Sequence, residues 1–254
     1  MSYKYLGEHY VVVSSWAESP HLSEDAKASL LGSIPAWQRD ARSKGIPQLG
    51  EGAIWTVGED QFVVPPIRGG IPSTWPRVYA LDVGVRVTAA VWMARDPDTG
   101  VHYVYMDYDR EDAPYSIHAA EIKSKGEWIA GCVDPAADQR TIADGERTID
   151  NYRRAGLILT EAENSVNSGI DDTLDALISG KLKVIETCQK LIRQMRTYRR
   201  ERKNEIVRVV KKNDHLCDCL RYVWVTGRNM MKVKPQKQET RGTKVSASPR
   251  AWMA

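Results

Sequence analysis

The sequence predicts an α/β protein whose mixed sheet opens with three antiparallel strands, continues with parallel strands and is flanked by helices. Three observations carry this. Apolar runs at 77–84 (RVYALDVG), 87–95 (VTAAVWMAR) and 101–109 (VHYVYMDYD) are separated by a short loop and by the turn signal DPDTG, 96–100, which makes an antiparallel meander. Helical and strand patterns then alternate, giving the order β-β-β-α-β-α-β-α, which places helices on the faces of a mixed sheet. Finally, the first and fourth strands both end at an Asp, and open α/β sheets gather their sites beyond strand ends.

The elements follow in chain order. Residues 1–76 read as an irregular connecting region with one helix start, Ser23 followed by two acids, Ala and Leu. Gly45, Pro47, Gly50 and Gly52 break the chain, and PPIRGGIPSTWP (65–76) is turn and linker chemistry, so a domain boundary is expected there. After the meander, PYSIHAAEIKSKG (114–126) reads as a helix and EWIAGCVDPAAD (127–138) as a buried strand closed by an acid and Pro. RTIDNYRRAG (147–156) is a Gly-terminated helix and LILTEA (157–162) another strand. Helical patterns dominate from Gly169 onward, in IDDTLDALISG, ETCQKLIRQMRTYRRER and NDHLCDCLRYVWV. The second domain is expected over 77–228, and 229–254 reads as a basic flexible tail.

With 254 residues, 42% of them hydrophobic and 27% charged, the chain has the composition of an ordinary globular protein with a sizeable core. Its apolar runs fall far short of a membrane span, so no membrane association is expected. The formal net charge is only +3, but it is unevenly placed: Lys181–Lys212 holds twelve Lys/Arg against three Glu. A basic block of this kind suits a polyanion, and Arg193, Arg196, Arg199, Arg200, Arg202, Lys203, Lys211 and Lys212 are its candidate phosphate contacts on double-stranded DNA. The plainer reading is a solvated helix face. Cys132, Cys188, Cys217 and Cys219 are expected as free, buried thiols. Cys217 and Cys219 with His215 do not make a zinc site, because residues two apart on a helix point to different faces.

Three acidic positions stand where such a sheet would gather them. Asp82 ends the first strand, Asp134 ends the fourth, and Asp214 with Asp218 heads the last helix. If the first and fourth strands are parallel neighbours, Asp82 and Asp134 lie side by side. Clustered carboxylates repel one another, and hard cations relieve that repulsion. Oxygen-only ligands suit Mg²⁺ or Mn²⁺. Two such ions activate water and stabilise the leaving oxygen in phosphodiester hydrolysis. Taken singly, each acid has a bland reading: a turn or cap residue for a strand-end Asp, an N-cap for Asp214. Asp138 and His215 are secondary candidates. Asp107, Asp109, Glu111 and Asp112 read as a solvated loop, and Asp171 with Asp172 as favourable charges at a helix start.

YALDVG, GCVDPAA and NDHLCDCLRY, together with DGERTIDNYRRAGL (144–157), NSVNSGI (164–170) and CQKLI (188–192), resemble the nuclease domain of tailed-bacteriophage terminase large subunits over about residues 77–226. SSWAESPHLSED (14–25), ARSKGIPQLG (41–50) and IPSTWPRVYALDVG (71–84) are similar to the stretch that joins the packaging ATPase to the nuclease. The resemblance implies an RNase H-like fold with Asp82 and Asp134 as the first and second metal ligands. Asp214, Asp218 or both complete the set. Cys219 stands where the family pattern has Ala. A P-loop GxxxxGK[ST] is absent from the sequence, and Gly180-Lys181 has neither the upstream Gly nor a following Ser/Thr, so no ATP hydrolysis is expected.

The function expected is a Mg²⁺- or Mn²⁺-dependent DNA endonuclease with two ions that cuts concatemeric phage DNA during genome packaging, in the host cytoplasm. The resemblance implies the ATPase region, a small terminase subunit and a portal as partners. Two other readings remain open: a RuvC-like resolvase or RNase H, and a docking module that binds DNA without cutting it.

Overall fold

The computed structural model of the chain describes residues 2–6, 9–13, 15–33, 43–44, 52–84, 86–135, 147–203 and 206–235. Its strands are β1 (Ser2–Leu6), β2 (His9–Val13), β3 (Val63–Val64), β4 (Arg77–Val83), β5 (Val87–Arg95), β6 (His102–Glu111), β7 (Gly131–Val133), β8 (Leu159–Glu161), β9 (Leu182–Ile185), β10 (Arg200–Lys203) and β11 (Ile206–Val209). The helices are α1 (Glu24–Ser33), α2 (Glu59–Phe62), α3 (Tyr115–Ser124), α4 (Thr148–Arg154), α5 (Val166–Ile178), α6 (Gln189–Thr197) and α7 (His215–Val225). Two hairpins, β1–β2 and β10–β11, stand apart from a seven-stranded sheet of order β3-β9-β6-β5-β4-β7-β8. Within it β4, β5 and β6 pair antiparallel, and β7, β8, β9 and β3 add parallel strands on either side. This is the mixed sheet the sequence predicts.

Strand alternation decides what each face carries. Val78 and Ala80 of β4, Ala89, Val91 and Met93 of β5 and Cys132 of β7 point into one core, against α5, α6 and α7. Tyr79, Leu81, Ala90 and Trp92 point into the other, against α3 and α4. A period of two continues past each strand's last apolar residue. Asp82 therefore shares the face of Val78 and Ala80, and Asp134 that of Cys132. Both acids are delivered to the α7 side. There α7 fixes its own position by burying Leu216, Cys217, Cys219, Leu220 and Val223 completely. Burying a Leu or Val side chain is worth about 1.5–3 kcal/mol.

Several expectations change. Residues 54–64, read as part of a connecting region, enter this core: Ile54, Trp55, Val57 and Phe62 are buried in it and β3 pairs with β9. The helix expected to run to 202 stops at Thr197. Tyr198 turns out of it, stacks on Trp55 at 5.7 Å and accepts a backbone bond from Ile54, while the Arg200 amide donates to the Gly52 carbonyl. These tertiary partners hold the chain extended, and the basic run folds as the β10–β11 hairpin. Asp107, Asp109 and Glu111 belong to β6 rather than to a loop. Asp171 and Asp172 lie inside α5, which starts at Val166. In the expected tail, Lys232 returns to pair with Arg77, and 236–254 lie outside the described residues. Among the described residues no helix is long and apolar enough to cross a membrane.

Candidate functional site

The site begins at the C-terminal ends of β4 and β7. Their parallel register sets Leu81 against Val133, and the Asp134 amide donates to the Leu81 carbonyl at 3.1 Å. Asp82 and Asp134 thus leave neighbouring strands at the same level. After Asp82 the chain reverses through Gly84, whose amide donates to the Val87 carbonyl. A side chain at Gly84 would meet that carbonyl at 2.7 Å and crowd the His215 ring at 3.4 Å, so only Gly lets the turn tuck under the start of α7.

Helix α7 enters through Asn213, whose φ of 52° is a left-handed conformation that Asn tolerates. Asp214 occupies the N-cap position without making a side-chain capping bond. Its carboxylate instead lies 3.2 Å from Lys211 Nζ. His215 Nδ1 sits 2.8 Å from Asp82 Oδ2, tying the first turn of α7 to β4. One turn on, buried Asp218 accepts from Lys211 Nζ at 2.7 Å, from Arg221 Nη2 at 3.1 Å and from the Tyr198 hydroxyl at 3.5 Å. Arg221 is itself only 1% exposed. It fits because Gly169 has no side chain: a Cβ there would come within 2.9 Å of its Cγ and Cδ. Asn164 Oδ1 accepts from Arg221 at 3.3 Å and from the Tyr222 hydroxyl at 3.2 Å. In the sequence Asn164 is only one letter of the NSVNSGI pattern, and its place beside Arg221 and Tyr222 is visible only in the fold.

Burial pushes the Asp82 carboxyl above its ordinary value. The His215 hydrogen bond pulls it back, and the charges of Asp218 and Asp134 raise it further. The bond to Asp82 raises the His215 imidazole against the opposing effect of burial. Burial also raises the Tyr222 phenol, with Asp134, Asp218 and Asp82 adding to it. One side chain thus senses three of the four acids. The acids are drawn together and held apart by basic partners: His215 on Asp82, Lys211 and Arg221 on Asp218. Among the described residues no three His, Cys, Asp or Glu groups form a closed ligand set.

The basic segment divides. Arg193, Arg199 and Lys212 are exposed. Arg196 is clamped by Glu59 at 2.5 and 2.8 Å, and Arg200 lies 4.0 Å from Asp171, so neither is as open as the sequence suggests. Lys211 faces the acids. Asp138 and the side chains of Arg202 and Lys203 lie outside the described residues. The four Cys are buried and free, and Cys219 Sγ donates to the Ala89 carbonyl of β5.

The Terminase RNaseH-like domain family matches over residues 86–225. Among curated proteins, the large terminase subunit of Salmonella phage P22 is 26% identical over 221 residues, covering 83% of this chain and 43% of that protein. The large terminase subunit of Enterobacteria phage LP7 is 26% identical over 215 residues, 81% of this chain and 44% of that protein. The chain spans under half the length of these two relatives. The P22 large terminase nuclease domain superposes with a TM-score of 0.63 at 25% identity, covering 72% of this chain and 96% of that one. The nuclease domain of the SPP1 large terminase, solved with bound Mn, shares the fold at a TM-score of 0.50 and 17% identity, covering 66% of this chain and 96% of that one.

Proposed function

The chain belongs to the Terminase RNaseH-like domain family, and from that premise we propose that it is a divalent-metal-dependent DNA endonuclease that cuts concatemeric phage DNA during packaging. One observation carries the reading. Asp82 and Asp134 leave adjacent parallel strands on the face covered by the helix that bears Asp214 and Asp218. The donor set is all carboxylate oxygen, as Mg²⁺ and Mn²⁺ prefer. Among the described residues, buried Asp214 Oδ2 has only the 3.2 Å contact with Lys211 as an ion pair, and the Asp82 carboxyl is disfavoured as a bare charge, so both gain from a cation.

Asp82, Asp134 and Asp214 or Asp218 would hold two ions. When bound, the ions supply the charge that neutralises these acids, activates water and stabilises the leaving oxygen. The chain's own residues do the positioning. Arg221, itself held by Asn164, locks Asp218 in place, and His215 orients Asp82. The exposed Arg193, Arg199 and Lys212 would take the phosphate backbone, making binding salt-sensitive and largely independent of sequence. An ATPase region, a small terminase subunit and a portal as partners, and the host cytoplasm as the place of action, belong to the same proposal.

The test is nicking of supercoiled plasmid in EDTA, Mg²⁺ and Mn²⁺, with Asp82→Asn alongside. Cutting that needs metal and is lost in the variant supports the assignment. Equal cutting in EDTA, or an active Asp82→Asn, overturns it. DNA binding without cutting, unchanged when the four Asp are neutralised, would make the chain a docking module instead.

A further inference from the structure

Two cations hold Asp218, and they differ in one respect that matters. Arg221 grips Oδ1 from inside the core, where it is 1% exposed and wedged against Gly169. Its departure would leave a cavity and an unpaired charge. Lys211 grips Oδ2 from outside. It lies on the short connection between β11 and α7, and its side chain is 60% exposed. Its ammonium spans Asp218 Oδ2 at 2.7 Å and Asp214 Oδ2 at 3.2 Å. The contact with Asp214 is the longer and less well aligned of the two. Lys211 therefore shares Asp218 with Arg221 and is the nearest basic partner of the buried Asp214 among the described residues.

We propose that Lys211 is a displaceable internal counter-ion, which holds Asp214 and Asp218 until a divalent cation takes the same oxygens and sends the ammonium outward. The inference rests on the metal reading above and names how that site is regulated. The lysine can leave readily because its own side chain is 60% exposed and its ammonium regains water, while the buried carboxylates it leaves are taken over by the incoming ion. The incoming ion brings twice the charge and bonds several oxygens at once. The freed ammonium stays on a short tether at the rim, where it meets the phosphate backbone of a bound duplex. Metal occupancy and phosphate contact are thereby coupled through one side chain: without metal, the Lys211 ammonium is engaged by Asp218 and Asp214 and is not free for phosphate. Lys212, its exposed neighbour, makes no such inward contact among the described residues and serves as an internal reference.

The experiment uses the full chain and Mn²⁺ as the probe. Acetylation of lysines by a water-soluble amine reagent, read by mass spectrometry, should rise at Lys211 on saturation with Mn²⁺ and stay level at Lys212. An unchanged or reduced Lys211 signal with Mn²⁺ bound overturns the proposal. In parallel, the loss of the free-Mn²⁺ electron paramagnetic resonance signal gives the affinity. Lys211→Met, checked for wild-type circular dichroism, should bind Mn²⁺ about two- to five-fold more tightly than wild type, because the ammonium that competes for these oxygens is gone. Lys211→Arg should stay near wild type. Equal or weaker binding by Lys211→Met overturns the proposal while leaving the metal site standing. Failure of wild type to bind Mn²⁺, or undiminished binding by Asp82→Asn, sinks the metal reading itself and the counter-ion role with it. If Lys211→Met does not fold, the acetylation result on the wild-type chain decides.

Discussion

The two faces of the central sheet are built from the same strands by the same alternation, yet they carry different chemistry. The face under α3 and α4 is apolar, with Leu81, Ala90 and Trp92 fully buried and polar contacts confined to pairs such as the Tyr108 hydroxyl with His118 Nδ1 at 2.8 Å. The face under α7 is apolar along its length and then breaks off into Asp82, Asp134, Asp214, Asp218, His215, Lys211 and Arg221 at one end. The difference shows that a single residue's parity in a strand chooses the side on which chemistry is assembled. A one-residue slip of β4 would send Asp82 to the α3 face.

The comparison can be broken by substitution, beginning with the largest effect. Asp82→Asn should lower metal-dependent plasmid nicking by at least about a thousand-fold, roughly 4 kcal/mol in barrier. In EDTA at pH 7.5 the same variant should unfold at an equal or higher urea concentration than wild type, because burial disfavours the charge it removes. A clear loss of stability would mean that Asp82 is a structural acid. On the opposite face, Trp92→Ala should cost about 3–5 kcal/mol in urea unfolding, with cutting per folded molecule preserved. Abolished cutting in folded Trp92→Ala would show that the two faces are not independent. Arg221→Met leaves Asp218 buried with one fewer cation. It should cost about 3 kcal/mol by the same measurement and weaken Mn²⁺ binding as well. A change in stability alone would limit Arg221 to packing.

The smallest effect is one of pH, away from the acids. Burial, with Arg95 and Arg228 nearby, pulls the His102 imidazole down to about 4, and its ring lies edge-on to Trp224 at 5.3 Å. A depressed folded value means that this stabilisation is fully present above the ordinary value near 6.5. It is lost as pH falls through about 4. Between pH 7 and 4.5 wild type should lose about 1–2 kcal/mol more than His102→Gln in urea titrations, discounted for partial exposure. Parallel pH profiles would show that His102 titrates freely.

How much of this was legible in the sequence depends on where each instruction lies. β4, β5, β6 and β7 are local patterns of alternation, closed by turn signals or by an Asp, whereas the parallel pairing of β4 with β7 is only a condition in the sequence and is supplied by the fold. The β10–β11 hairpin was misread for a physical reason. Arg, Glu and Lys are good helix formers, so RTYRRERK continues a helix on propensity alone. Trp55 and the Gly52 carbonyl, about 140 residues away in sequence, overrule it. β3 and β9 are too short, at 2 and 4 residues, to show a period. The position of Asp82 and Asp134 at strand ends was readable because each follows a local apolar run. The burial of Arg221 depends on Gly169 of α5 packing against α7, and its bond to Asn164 and the contact of Lys211 with two acids of α7 are equally tertiary, which no segment announces alone.

Trp55 and β3 also bear on how the chain is handled at the bench. Pro76 looks like the natural place to start a shortened version, since the sheet's long strands begin just after it. A chain started there would lose Ile54, Trp55, Val57 and Phe62 from the core, strip β9 of its outer neighbour and remove the stacking partner of Tyr198. The newly bared β9 would be an open strand edge, the kind of surface through which proteins stick to their own copies. A soluble minimal version should therefore begin ahead of Gly52, so that the basic hairpin keeps the backbone bond that holds it.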